Sequence, residues 1–349
     1  SGLPRNAATL DAACDAKRID DPMHHPRAPR LRRTDSHRDD TMHTRAPFDP
    51  TRRRCLASLG ALPLMTTMTD LHAEVPQVLR RPIPSSGELL PVVGLGTYQA
   101  LDVGNDPAGR APLLDVMRTL VAHGGSLVDS SPMYGTAEGV AGDLAAQLDL
   151  RPRLFMATKV WTSGRDAGVR QMNESFRRMR TDRMDLMQVH NLLDWSTHLA
   201  TLAPWKAEGR VRYLGITHYH AGAYGELEKL MRSKRWDFVQ LNYSLAEPEA
   251  EERLLPLAAE LGVAVIVNRP FAQGALFSKV KGRELPGWAS EIGCTSWAQV
   301  FLKWILANPA VTCVIPASSK VAHTMQNMLA GTGRMPDAAL RARIAREIG

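Results

Sequence analysis

From about residue 79 onward, apolar residues fall into short blocks separated by polar turns; before that point they show no period. Leu79 to Ile83 and Leu89 to Val93 flank Pro84-Ser85-Ser86-Gly87, which predicts a β-hairpin. Eight strand-like runs follow: Val92 to Thr97, Ser126 to Ser130, Leu154 to Val160, Met184 to His190, Val211 to Thr217, Phe238 to Tyr243, Ala264 to Asn268 and Thr312 to Pro316. Between them lie segments with helical spacing, the clearest being Thr136 to Leu148, Gly168 to Met179, Gly222 to Arg235, Glu249 to Leu261, Ser296 to Ala307 and Val321 to Leu329. Each follows a strand, so the chain is written in β-α units. Eight units in roughly 250 residues, with no Gly-x-Gly-x-x-Gly opening the first, predict an α/β fold, a (β/α)8 TIM barrel with an N-terminal β-hairpin. In such a barrel the active site sits where strands end and loops begin.

The text before the hairpin is of another kind. Residues 1–41, rich in Arg, Asp, His and Pro, read as disordered or extraneous to the natural chain. Residues 42–74 carry Arg52-Arg53-Arg54, a short apolar run from Ser58 to Met65, and small residues near Ala73. That pattern resembles a twin-arginine export signal and implies a periplasmic protein handled by the export machinery; the alternative is a basic arm on a cytoplasmic protein. The barrel domain is expected over residues 75–349.

Composition narrows the function classes. A formal net charge of +7 is spread thinly, with no Lys/Arg cluster and interleaved aromatics after residue 80, so nucleic-acid binding is not indicated. The four cysteines, Cys14, Cys55, Cys294 and Cys313, form no CxxC pair and have no histidines at zinc spacing, which predicts no metal site. A monomer or weak oligomer acting on a small molecule fits this balance.

The chemistry gathers at the C-terminal ends of the predicted strands. Asp129 closes the second, Tyr134 lies in its loop, Lys159 sits within Ala157-Thr158-Lys159-Val160, and His190 ends Met187-Gln188-Val189-His190. A lysine inside an apolar strand is expensive to bury unless a carboxylate lies close, and Asp129 is the candidate partner. A charged lysine argues against Schiff-base chemistry. A phenol has an ordinary pKa of about 10, too high for an ideal acid near neutrality, and a neighbouring ammonium is expected to lower it.

These four residues, in this order and spacing, resemble the tetrad of the aldo-keto reductase family. The resemblance is carried by Val93-Gly94-Leu95-Gly96-Thr97, Val128-Asp129-Ser130-Ser131-Pro132-Met133-Tyr134-Gly135, Ala157-Thr158-Lys159-Val160, Leu214-Gly215-Ile216-Thr217 and Val314-Ile315-Pro316-Ala317-Ser318. It implies an NAD(P)H-dependent oxidoreductase that reduces an aldehyde or ketone by hydride transfer. Tyr134 is then the proton donor, Lys159 its electrostatic tuner, Asp129 the partner of the lysine, and His190 the group that orients the carbonyl oxygen. A different class, a non-catalytic nucleotide-binding barrel in redox sensing or regulation, stays open because the cofactor side departs from the family pattern.

The resemblance places the cofactor against Gly96 and Thr97, against Thr217, His218 and Gln240 for the nicotinamide carboxamide, and against Asn268, Arg269, Pro270 and Phe271 after the seventh strand. Thr217-His218 stands where the family commonly has Ser-Asn, and Asn268 where it usually has a stacking aromatic. Arg269 is expected to reach the pyrophosphate and Phe271 to give apolar cover. Ile315, Ser318, Ser319, Lys320, His323 and Asn327 occupy the segment for the adenosine phosphate and adenine, with NADPH preferred and NADH the alternative. Tyr98, Met133, Trp161 and Trp195 are expected to line the substrate pocket, and their aromatic character points to a bulky or aromatic carbonyl.

Overall fold

The computed structural model describes residues 78–349. The export-signal and N-terminal expectations lie outside these residues. The hairpin forms as expected but shorter, β1 (Arg80–Pro82) pairing antiparallel with β2 (Leu89–Pro91). Eight parallel strands follow in sequential order: β3 (Leu95–Gly96), β4 (Leu127–Asp129), β5 (Phe155–Val160), β6 (Met184–His190), β7 (Val211–Thr217), β8 (Phe238–Asn242), β9 (Ala264–Asn268) and β10 (Val311–Val314). Parallel bridges Val93 to Val314 and Gly96 to Ala317 bring the first strand against the last and close the barrel.

That seam is why β3 falls short of the expected Val92 to Thr97. Gly94 N–H donates to Val314 O at 2.9 Å and Gly96 N–H to Pro316 O at 3.2 Å, while β10 shifts register between Val311 and Cys313. The irregular pairing breaks the ladder into pieces. A Cβ on Gly96 would lie 2.7 Å from Ile315 O, so only glycine lets the two backbones approach.

The helices are α1 (Pro107–Ala122), α2 (Ala137–Gln147), α3 (Arg165–Arg178), α4 (Trp195–Ala207), α5 (Tyr224–Arg232), α6 (Leu254–Leu261), α7 (Ala275–Lys279), α8 (Trp288–Glu291), α9 (Trp297–Leu306), α10 (Val321–Ala330) and α11 (Ala338–Ile348). The segment predicted as one helix from Glu249 begins as a separate 3-10 turn, Glu249–Glu251, ahead of α6. Among the described residues, no helix is long and apolar enough to cross a membrane.

Strand alternation decides which residues meet. Val128, Met156, Met187, Val189, Leu214, Ile216, Val239 and Val265 point outward into the main core beneath the helices. The intervening Leu127, Phe155, Leu186, Tyr213, Phe238 and Ala264 point inward, and with Ile83 and Leu90 from the hairpin they plug the N-terminal end of the barrel. Two to four residues further along these strands the same inward face turns polar: Asp129, Lys159, Gln188, His190, Thr217 and Gln240. The floor is apolar and the mouth is ionised.

Candidate active site

At the mouth, Lys159 is fully buried, Asp129 is 2% exposed and His190 6%. Lys159 Nζ donates to Asp129 Oδ2 at 2.6 Å and to Ser130 O at 2.7 Å. The adjacent pairing of β4 and β5, with Asp129 opposite Ala157, puts the carboxylate beside the ammonium of the next inward residue. Tyr134, half-buried in the loop after β4, sets its ring with the centroid 4.9 Å from Lys159 Nζ and 5.9 Å from the His190 ring. The four residues picked from the sequence converge on one space.

Burial pushes the Tyr134 phenol above its ordinary pKa; the Lys159 ammonium pulls it down and the Asp129 carboxylate pushes it further up, and the net direction is upward. This corrects the expectation of a lowered value: the lysine moderates the burial penalty without overturning it. Tyr134 therefore holds its proton through neutral pH. Burial also lowers the Lys159 pKa, but Asp129 and Tyr134 outweigh it and keep the lysine charged. His190 is depressed to about 2 by burial, the Lys159 charge and His218, so its imidazole is neutral. Its Nδ1 lies 3.0 Å from Ser131 Oγ.

The expected cofactor contacts divide into those still available and those already engaged. Thr97 Oγ1 donates to Asp129 O at 3.0 Å and Ser130 Oγ at 2.9 Å, bracing the loop after β4. Gln240 Nε2 donates to Asp129 Oδ1 at 3.0 Å, and its Oε1 accepts from Thr217 Oγ1 at 3.2 Å. Arg269, at a φ of 49°, donates to Tyr219 O at 2.7 Å and pairs with Glu247 at 3.3 Å, so its guanidinium is tied to neighbouring loops. Phe271 packs on Phe277, with ring centroids 4.9 Å apart, and lies partly buried against the helical core. Pro270 is buried beside it. Asn268 Nδ2 donates to His218 O at 3.1 Å, leaving its buried Oδ1 without a partner. Ser318 is buried and braces Thr324, whereas Ser319, Lys320 and His323 are exposed at the start of α10, with Asn327 buried further along it. Ile315 belongs to the inward cluster.

Around the mouth, Tyr98 meets Tyr134 edge-on at 5.0 Å and Trp161 lies 6.2 Å from His190. Tyr98, Met133 and Trp161 are exposed by 51%, 38% and 41%, forming an apolar rim. Trp195, expected to line the pocket, is the first residue of α4 and packs half-buried against the core. Sequence reasoning passed over Ser131, Gln188 and Tyr219. Gln188 was findable, since it stands two residues before His190 on one strand and so shares its face. Tyr219 stacks on His218 at 5.2 Å, a loop contact with no sequence period behind it.

A family model described as the aldo/keto reductase family matches residues 92–341. The chain belongs to the aldo/keto reductase family. Among its relatives, methylglyoxal reductase YeaE of Escherichia coli strain K12 is 30% identical over 257 residues, covering 70% of this chain and 87% of the relative. An aldo/keto reductase from Klebsiella pneumoniae, solved with NADP and acetate, superimposes with a TM-score of 0.64 at 25% identity, covering 75% of this reductase and 93% of that chain. A second Klebsiella pneumoniae aldo-keto reductase, solved with NADPH, gives a TM-score of 0.66 at 24% identity over 78% and 95% of the two chains.

Proposed function

We propose that this protein reduces an aldehyde or ketone to an alcohol with NADPH, Tyr134 donating the proton. The observation that carries the reading is the buried Lys159–Asp129 pair set beside a protonated Tyr134 and a neutral His190. The relatives support it, one being a methylglyoxal reductase and two having been solved with NADPH or NADP.

The residues present fit a nicotinamide dinucleotide. The unpartnered Asn268 Oδ1 is a buried acceptor suited to a carboxamide N–H, and α10 opens without a side-chain cap, leaving first-turn N–H groups for a phosphate. Ser319, Lys320 and His323 at that helix start would hold a 2'-phosphate, which favours NADPH over NADH. When bound, the cofactor supplies the hydride to the carbonyl carbon. His190, with Ser131 donating to Nδ1, then presents an Nε2 proton that orients the carbonyl oxygen. Tyr134 gives its proton to the oxygen as negative charge develops there, and the Lys159 ammonium stabilises the phenolate left behind. The exposed rim of Tyr98, Met133 and Trp161 favours bulky or aromatic carbonyls.

Following NADPH absorbance over a panel of aldehydes tests the reading. Tyr134→Phe should abolish turnover while NADPH still binds; retained turnover sinks the assignment, and tight NADPH binding without turnover by the parent protein supports the regulatory alternative. We also propose export by the twin-arginine route. Replacing Arg52 and Arg53 by lysine should trap the protein in the cytoplasm, and unchanged fractionation would rule the signal out.

A further inference from the structure

We propose that Gln188 is a positioning residue for this reaction, its side-chain amide holding the Asp129 carboxylate, and through it the Lys159 ammonium, in place beside Tyr134. The inference rests on the carbonyl-reductase reading above. Asp129 splits its two oxygens between two tasks. Oδ2 accepts from Lys159 at 2.6 Å, while Oδ1 accepts from both Gln188 Nε2 and Gln240 Nε2, each at 3.0 Å. A carboxylate free to turn about its Cβ–Cγ bond would let the lysine follow it. Two donors from two different strands fix it instead.

The barrel makes room for this glutamine. Gly215 sits opposite Gln188 in the β6–β7 register, and a Cβ there would lie 2.9 Å from Gln188 Cγ. The two glutamines are nevertheless not equivalent. Gln240 is satisfied at both ends, its Oε1 accepting from Thr217, whereas Gln188 Oε1 is buried with no partner. Turning the Gln188 amide over would set its oxygen against the carboxylate, so Asp129 dictates the orientation and the orphan acceptor is the result. An orphan acceptor costs stability that an apolar side chain of the same volume would not. Among the described residues the one hydrogen bond the Gln188 side chain makes is to the tetrad, and that is what its polarity serves.

Lys159 from β5, Tyr134 from the loop after β4 and Cys313 from β10 feel the Asp129 charge, and the Lys159 charge acts in turn on His190, further along β6, and on Glu138 of α2. Gln188→Met keeps the volume and removes the donor. A hydrogen bond to a charged group has a value equivalent to about tenfold to a hundredfold, so kcat for carbonyl reduction should fall at least about tenfold. KM for NADPH should stay within about twofold, and the denaturation midpoint should hold or rise. Gln188→Glu should behave differently with pH: its protonated carboxyl can donate to Asp129 as the amide does, and its ionised form cannot. Activity near that of the parent at the acidic end, falling through a limb the parent lacks, is the expected profile.

Parent-level kcat in Gln188→Met, or a loss of kcat matched by loss of folding stability, overturns the inference. So does a Gln188→Glu profile parallel to that of the parent. Tyr134→Phe measured alongside separates the two readings, since turnover surviving there removes the reductase assignment itself, whereas an inactive Tyr134→Phe beside a fully active Gln188→Met removes only the role of Gln188.

Discussion

Asp129→Asn offers a quantitative probe of the buried pair. At the 2.6 Å separation of Lys159 Nζ and Asp129 Oδ2 the gross attraction is about 6 kcal/mol with an effective dielectric of roughly 20. Burial of both charges cancels much of it in the intact pair, but removing one partner leaves an uncompensated ammonium in a fully buried position, which costs about 3–5 kcal/mol. The new amide also turns a donor toward either Lys159 or the glutamines that now donate to Oδ1. Urea unfolding at neutral pH should therefore show a midpoint loss equivalent to about 4 kcal/mol at constant m, and a melting temperature lower by roughly 10 °C.

The deficit should depend on pH with a definite sign. In the parent, Asp129 and Tyr134 overcome burial and raise the Lys159 pKa above its ordinary value, so this stabilisation is present below about pH 10 and is lost as pH rises through the folded value. In the variant Tyr134 alone is left to oppose burial, and the folded lysine is expected to release its proton below the unfolded value of about 10.4. Between those two values the unfolded chain binds more protons than the native one, so the variant gains stability with rising pH and the deficit narrows. A loss under about 1 kcal/mol at pH 7, or a deficit independent of pH up to 10, would refute the argument.

Two further outcomes are expected. Gly96→Ala forces a methyl against Ile315 O at 2.7 Å and should cost at least about 1–3 kcal/mol by denaturation, whereas Gly139→Ala, in α2 with nothing within 4 Å, should stabilise by up to about 1 kcal/mol; equal midpoints would disprove the tight-seam account. His190, held near 2, should contribute no limb to the pH–rate profile above about pH 4, and its ring NMR signals should stay unshifted down to that pH; a titration near its ordinary value of about 6.5 would show a wetter site.

What the sequence determined by itself was whatever is written in local periodicity. The alternation of apolar blocks gave β6, β7 and β9 to the residue, since each has its inward and outward faces satisfied by neighbours on both sides. It also put Asp129, Lys159 and His190 at strand ends, where a closed parallel barrel must aim them at one mouth. Tertiary structure decided the rest, because hydrogen-bond capacity is shared out among residues far apart in the chain. Gln240 and Arg269 have the right chemistry for a cofactor, but only the fold shows that the first also donates to Asp129 and that the second also pairs with Glu247 and donates to the Tyr219 carbonyl. Whether Tyr134 is more or less acidic than a free phenol depended on how deeply the loop after β4 buries it against how closely Lys159 approaches, a balance of distances that residue order does not encode.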